Sequence, residues 1–347
     1  MILKRDYKMA KKKTVSVKLI AEKCGVSTAT ISRVLNADPK VAEATRQKVM
    51  EALKELNYKP AERNTNIPKK VAVITRVSHQ DYYVSLVHEI NKYMAEQGYD
   101  VISLSQENSI RSLPGLLDTA YSSNVAGVII VTADYSSIKN KLMPSIPHVW
   151  IDCNEKPDDI KDICTVESDH YVSGRLAAHA LINQGCKKPI IITGNNPSRR
   201  SAERKSGFFD EFKEAGILLS NDNIIEVQTG TDGFTVTREA VRYVIAKGLD
   251  FDSIFAISDW RALGAYTGVI TMGKKVPEDI RIIGFDGLSL ACKTVGITSI
   301  QQNTPRLAAC SCDQLIKLIN GETVQEKHIV IPTGILQGQT LPEPNIM

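Results

Sequence analysis

Short apolar segments alternating with longer amphipathic ones constrain the fold of this chain more than any other feature. The apolar segments are VAVIT (71–75), DVISLS (100–105), VAGVIIVT (125–132), HVWID (148–152), PIIITG (189–194), SIFAIS (253–258) and IRIIGFDG (280–287). Helix-period segments lie near 82–97, 170–184, 199–215, 233–247 and 260–272. A strand that is apolar along its whole length is buried on both faces. Helices placed between such strands make parallel crossovers. The pattern predicts an α/β body of doubly wound, Rossmann-like parallel sheets. More than 200 residues of it predict two lobes rather than one. Ligands of such sheets bind beyond the carboxyl ends of the strands, so the residues to examine follow each strand.

The first 60 residues have a different texture. In SVKLIAEKCGVSTATISRVLN (16–36), Val17, Ile20, Ala21 and Cys24 fall on one helical face, and Ile31, Val34 and Leu35 on a second. Gly25 marks the break, and Ser27 is placed to cap the second helix by accepting a backbone N–H. The opposite face of that helix carries Thr28, Ala29, Ser32, Arg33 and Asn36, which are small or polar, with one base and no acid. Small residues allow close approach to a major groove, and an arginine forks onto guanine. Val49, Leu53 and Leu56 recur at helical spacing and predict a third helix, so the head is an all-α three-helix helix-turn-helix domain over 14–59. Residues 60–70 read as a hinge, and residues 1–13 as a basic, disordered N-terminus.

The charge map supports a nucleic-acid head. Residues 1–70 hold 17 basic and 7 acidic groups, whereas 71–347 hold 26 and 32. An overall charge of +4 therefore hides a basic head on an acidic body, the electrostatic footprint of a phosphate-binding domain. No apolar run approaches the roughly 18–20 residues of a membrane helix, and the N-terminus lacks the apolar core of a secretory signal. The seven scattered cysteines, with Cys310 and Cys312 forming a lone C-x-C, predict reduced thiols in the cytoplasm and no metal site. No P-loop, G-x-S-x-G, G-x-G-x-x-G or metal-ligand cluster occurs in the body, so neither an enzyme nor a cofactor is expected.

The block SVKLIAEKCGVSTATISRVLN resembles the signature of the LacI/GalR (lactose-repressor) family of bacterial transcription regulators. The similarity continues through NADPKVAEATRQKV, VESDHYVSGRLAAHALINQG, ERKSGFFDEFKEAGI, FAISDWRALGAYTGVITMGKKVPEDIRIIGFDG and TSIQQN, over about residues 14–336. The resemblance implies a periplasmic-binding-protein-like body over 71–338. Its N-lobe would span about 71–164 and 298–325, its C-lobe about 165–297 and 326–338, with a tail at 339–347. It implies a homodimer on a double-stranded, pseudo-palindromic operator. It also implies a small effector between the lobes, a sugar or sugar derivative. The expected function is repression controlled by that effector. The alternative is a catabolite-control-type regulator governed by a protein partner.

By resemblance, Ser16, Ser27, Thr30 and Asn36 match phosphate and positioning contacts, and Thr28, Ala29 and Arg33 match base-reading positions. Plain capping is a compatible role for Ser27. In the body, Tyr82 and Tyr83 match an aromatic pair at the effector mouth, Arg204 a basic residue that pairs with effector oxygens, and Phe234 a ring beneath the effector. Asp152, Ser258, Asp259 and Asp286 each follow a buried strand, where a cleft would lie. Helix packing is the alternative for the tyrosines, a solvated helix position for Arg204, and capping for Asp286. Asp acceptors with an arginine fork suit a polyhydroxyl ligand, whose hydroxyls both donate and accept.

Four positions depart from the family pattern. The hinge is about one helical turn short and lacks the leucine that enters the minor groove. Ile67 falls near that place, but Pro68 disfavours helical geometry there. Ala42 replaces a capping serine before the third helix. Gly287 stands where a second aspartate is frequent. The tail QGQTLPEPNIM has no heptads, so a tetramerising coiled coil is not expected.

Overall fold

The computed structural model describes residues 17–35, 41–56, 68–75, 81–106, 112–195, 198–228 and 232–341. The chain divides into two compact units, residues 1–67 and 68–347. The expected hinge wedge at Ile67 and the basic segment 1–13 lie outside the described residues.

In the first unit, α1 (Val17–Cys24), α2 (Thr28–Leu35) and α3 (Glu43–Glu55) enclose a small core. Ile20, Ala21, Cys24, Ile31, Val34, Val49, Ala52 and Leu53 are buried together. Gly25 has φ +64°, the left-handed conformation that ends a helix without the penalty a side chain pays. Ser27 Oγ accepts the Thr30 N–H at 3.1 Å, which is the predicted cap of α2. Ala42 stands at the N-cap of α3 with no side-chain hydrogen bond.

The second unit has two six-stranded sheets. Its elements are β1 (Lys70–Thr75), α4 (Asp81–Glu96), β2 (Asp100–Ser105), α5 (Leu113–Ser122), β3 (Gly127–Val131), α6 (Tyr135–Ile138), β4 (His148–Ile151) and β5 (Cys164–Ser168). They continue with α7 (His170–Asn183), β6 (Pro189–Gly194), α8 (Arg199–Glu214), β7 (Ile224–Val227), α9 (Gly233–Ala246), β8 (Ser253–Ala256), α10 (Asp259–Thr271) and β9 (Arg281–Asp286). The last are β10 (Thr298–Gln301), α11 (Thr304–Ile319), β11 (His328–Ile331) and β12 (Gly334–Leu336). The first sheet has the order β11-β5-β4-β3-β1-β2 and the second β12-β10-β9-β8-β6-β7. Every pairing is parallel except β10 with β12.

The chain crosses between lobes three times: after β5, after β10 and after β11. The sheets correct the lobe boundaries expected at 164, 297 and 325. Residues 165–168 pair within the N-lobe sheet, 298–301 within the C-lobe sheet, and 328–331 again within the N-lobe sheet. A crossing falls where a ladder of backbone hydrogen bonds ends, so each boundary lies at the end of a strand rather than before it.

Each lobe has its own core. Trp150, Leu117, Val128 and Ile130 lie in the N-lobe cluster, and Phe208, Phe212, Phe255 and Phe285 in the C-lobe cluster. Glycines permit one close helix crossing. A Cβ on Gly174 of α7 would stand 2.0 Å from the carbonyl oxygen of Arg204, and one on Gly207 of α8 would stand 2.0 Å from that of Tyr171. The two backbones therefore touch directly. Among the described residues, no helix is long and apolar enough to cross a membrane.

Candidate effector site

A cavity of about 130 Å³ opens beyond the carboxyl ends of β4, β8 and β9, between the lobes. From the N-lobe it is lined by Tyr82, Tyr83 and Asp152. From the C-lobe it takes Ser198, Arg200, Ser201, Arg204, Ile257, Ser258, Arg261 and Asp286, and Gln302 completes it from the crossing after β10.

Both carboxylates sit on unusual backbone. Asp152 has φ +54° and Asp286 φ +116°. A non-glycine residue in such a region costs about 1–3 kcal/mol and persists where its surroundings dictate it. The turn after each strand aims the acid across the cleft instead of along the sheet. The next residue, Gly287, has φ +75°, and a Cβ there would meet the Gln301 side chain at 2.6 Å. That backbone explains why glycine replaces an aspartate at this position.

Asp152 is fully buried and is the node of a hydrogen-bond network. It accepts from Tyr82 Oη at 3.3 Å, from Arg200 Nη1 at 3.2 Å and from His170 Nε2 at 3.2 Å. Burial raises its pKa, but the His170 bond and the charges of Arg200 and Arg204 outweigh that and hold it below the ordinary carboxylate range. His170 is the first residue of α7, fixed there by the Asp169 cap, whose carboxylate accepts from Val172 N at 2.9 Å. Burial and then the Arg204 charge lower its pKa to about 4. It is therefore neutral near pH 7, with Nε2–H donating to Asp152 and Nδ1 accepting from Arg204 Nε at 3.3 Å.

Arg204 is 8% exposed, and its Nη1 donates to the Ile257 carbonyl at 2.8 Å. Its guanidinium lies over the Phe285 ring, 3.4 Å from the centroid. Burial lowers its pKa to about 10, so it stays charged. Asp286 accepts from Gln302 Nε2 at 2.8 Å, and burial, opposed by Arg204, raises its pKa to about 6.

Beside the cavity, Arg199 ties the lobes together. It ion-pairs with Glu167 of β5, and its Nη2 donates to the Cys153 carbonyl at 2.9 Å. Glu203, one turn along α8, holds Nη1 at 2.8 Å. Arg199 and Arg200 occupy the first turn of a helix with no acid there. The macrodipole disfavours cations in that position, and carboxylates from the other lobe compensate. Glu167→Gln is expected to lower stability by about 1–2 kcal/mol, and a double-mutant cycle with Arg199→Met to show strong coupling. Additive losses in thermal unfolding would show that the two side chains act separately.

The cavity thus brings together Tyr82, Tyr83, Asp152, Arg204, Ser258 and Asp286 of the expected residues. Two stand elsewhere. Asp259 is a correction: its buried carboxylate is filled by Ser299 Oγ at 2.7 Å and Leu288 N at 2.6 Å. Burial and the nearby Asp286 charge push its pKa well above the usual range. Its role is to tie α10 to β10 and to the turn after β9. Phe234 is also corrected. It lies outside the lining, in the first turn of α9, with its ring edge-on to Trp260 at 6.5 Å. The Asp232 cap, accepting from Phe234 N at 3.1 Å, fixes that turn. Sequence reasoning missed His170, Arg200, Arg261 and Gln302. The paired arginines after the Ser198 cap were the available signal.

In the head, Ser27 and Thr28 are exposed and Thr30 is half-buried. Ser16 and Asn36 lie outside the described residues, as do the side chains of Ala29 and Arg33.

A helix-turn-helix head joined to a two-lobed α/β body with a cleft defines a DNA-binding regulator of the effector-gated class. Two family models match the chain: bacterial regulatory proteins of the lacI family over residues 16–61, and the periplasmic-binding-protein-like domain over 178–341. The HTH-type transcriptional repressor PurR of Pasteurella multocida (strain Pm70) is 28% identical over 324 residues, covering 91% of this chain and 95% of its own. The ribose operon repressor of Escherichia coli (strain K12) is 28% identical over 330 residues, covering 93% and 98%. A solved complex of the transcriptional regulator CelR with cellobiose superposes with a TM-score of 0.69 at 24% identity, covering 94% of this chain and 99% of that one. The lac repressor dimer bound to operator and an anti-inducer gives 0.68 at 23%, covering 95% and 100%. The chain belongs to the LacI/GalR family of bacterial transcription regulators, which are DNA-binding proteins and not enzymes.

Proposed function

We propose that this protein is a cytoplasmic, homodimeric repressor whose operator affinity is set by a small polar effector, a sugar or sugar derivative, held between the lobes. The observation that carries this reading is the cavity, where arginine donors and Asp286 of the C-lobe face Asp152 of the N-lobe. Such a set matches hydroxyls, which donate and accept at once. The similarity to a ribose operon repressor supports a carbohydrate. A thermal-shift screen of the full chain against sugars, sugar acids, sugar phosphates and nucleobases tests it. A ligand at ~100 times its dissociation constant adds about 2.7 kcal/mol. A screen in which none of these classes raises the melting temperature counts against a cleft effector and favours control by a protein partner.

The head reads DNA through α2. Arg33→Ala is expected to cost about 1–3 kcal/mol of operator discrimination and to change binding of random DNA less. Equal weakening of both, measured by anisotropy at one salt concentration, would make Arg33 a phosphate contact only.

A further inference from the structure

The cavity carries an imbalance of charge. Three guanidiniums line it, those of Arg200, Arg204 and Arg261, against the two carboxylates of Asp152 and Asp286. Arg200 is neutralised by Asp152 at 3.2 Å. Arg204 commits part of its five-donor fork to the Ile257 carbonyl and His170 Nδ1, and its face covers Phe285. Among the described residues Arg261 has no carboxylate, carbonyl or ring partner of this kind. Among the described residues it donates only from Nη1 to the Ser258 hydroxyl at 3.2 Å, and its Nε is buried without a partner. No carboxylate of the described residues stands within ion-pair distance of it. Arg261 is half-buried, and burial lowers its pKa, opposed by the charge of Asp286.

A neutral polyol closed into this site would leave one guanidinium desolvated and unpaired, an arrangement that protein interiors avoid. An anion would complete it. We infer that the effector is an anionic monosaccharide, a uronic or aldonic acid, with its carboxylate held by Arg261 and its hydroxyls by Asp152, Asp286 and Arg204. This rests on the reading of the cleft as the effector site. A phosphate ester carries the same sign of charge, but it is tetrahedral. The planar fork of a guanidinium matches a carboxylate with two parallel hydrogen bonds.

Isothermal titration of the full chain with matched pairs tests the inference. The pairs are glucuronate and glucose, galacturonate and galactose, gluconate and glucitol, and ribose 5-phosphate and ribose. At least one sugar acid is expected to bind about 10- to 100-fold more tightly than its neutral parent, the range of a charge-assisted hydrogen bond. Arg261→Gln is expected to erase that preference, bringing the acid and its neutral parent to similar affinities, and Arg261→Lys to keep part of it. Neutral sugars that bind as tightly as their acids overturn the inference, as does a preference untouched by Arg261→Gln. A phosphate ester that binds while every sugar acid fails overturns the carboxylate assignment. Binding by neutral sugars alone leaves the cleft an effector site and removes only the anion. Failure of every carbohydrate removes the effector reading and this inference with it. The wild-type pairs decide the charge preference even if a variant folds poorly.

Discussion

Replacing Arg204 with alanine is expected to abolish the ligand-induced rise in melting temperature and to leave operator binding by the head intact. Arg204 joins several parts of the site. It reaches the Ile257 carbonyl at the end of β8 and His170 at the first crossing, and stacks on Phe285 of β9. Its removal leaves the buried His170 Nδ1 without its donor. It also forfeits a desolvated cation–π contact of about 2 kcal/mol, a loss of stability, and a charged hydrogen bond to ligand of about 1.5–3 kcal/mol, a loss of about 10- to 100-fold in affinity. Lysine is not expected to rescue it, because an ammonium lacks the planar fork and the stacking face. A variant that still responds normally to the wild-type ligand would remove Arg204 from the site.

Gly174→Ala is expected to destabilise the body by ~3 kcal/mol or more, the upper end of the overpacking range. Helix propensity alone predicts the opposite sign, since alanine in a helix interior gains about 1 kcal/mol over glycine. Tertiary packing decides. The new Cβ would stand 2.0 Å from the Arg204 carbonyl oxygen, so α7 and α8 must separate. The atom displaced is the backbone of the arginine that holds the site, so ligand affinity falls with stability. Gly185→Ala is the control. Gly185 has φ +76° and open space where its Cβ would project. It pays only the left-handed penalty of about 1–2 kcal/mol. Thermal unfolding compares the two, and equal melting temperatures would show that the helix crossing yields easily.

The legible part of the fold was the part with strong local pattern. β1, β3, β4, β6, β8 and β9 are runs of apolar residues buried on both faces, and they stand where they were expected. β5 and β10 were not read as strands. They contain Thr165, Glu167, Ser168, Thr298 and Ser299, all buried, as polar as a loop in composition. These residues are buried because they are bonded, Ser168 to Gln302 and Ser299 to Asp259. Those partners are more than 30 residues away, and no local window contains them.

The candidate site divides along the same line. Residues at strand ends were placed near the cleft from order alone, since a parallel sheet puts its carboxyl ends on one side. Which way each side chain turns is not a property of order. Asp286 faces the cavity because its backbone adopts φ +116°. Asp259 faces inward because Ser299 and the Leu288 amide claim its carboxylate. Arg200 and His170 become functional candidates only where Asp152 arrives from the other lobe.

From sequence alone came the two-part architecture, the helix-turn-helix, its Ser27 cap, the parallel character of the sheets and the side on which a ligand would bind. All of these follow from periodicity, capping chemistry and charge, which act over a few residues. Tertiary structure alone decided where the three lobe crossings fall, the glycine-mediated contact of α7 with α8, the carboxylate that belongs to the core and, among the described residues, the arginine left without a carboxylate. Each of those is a matter of pairing between distant segments, where desolvation makes a buried polar group costly until a partner reaches it.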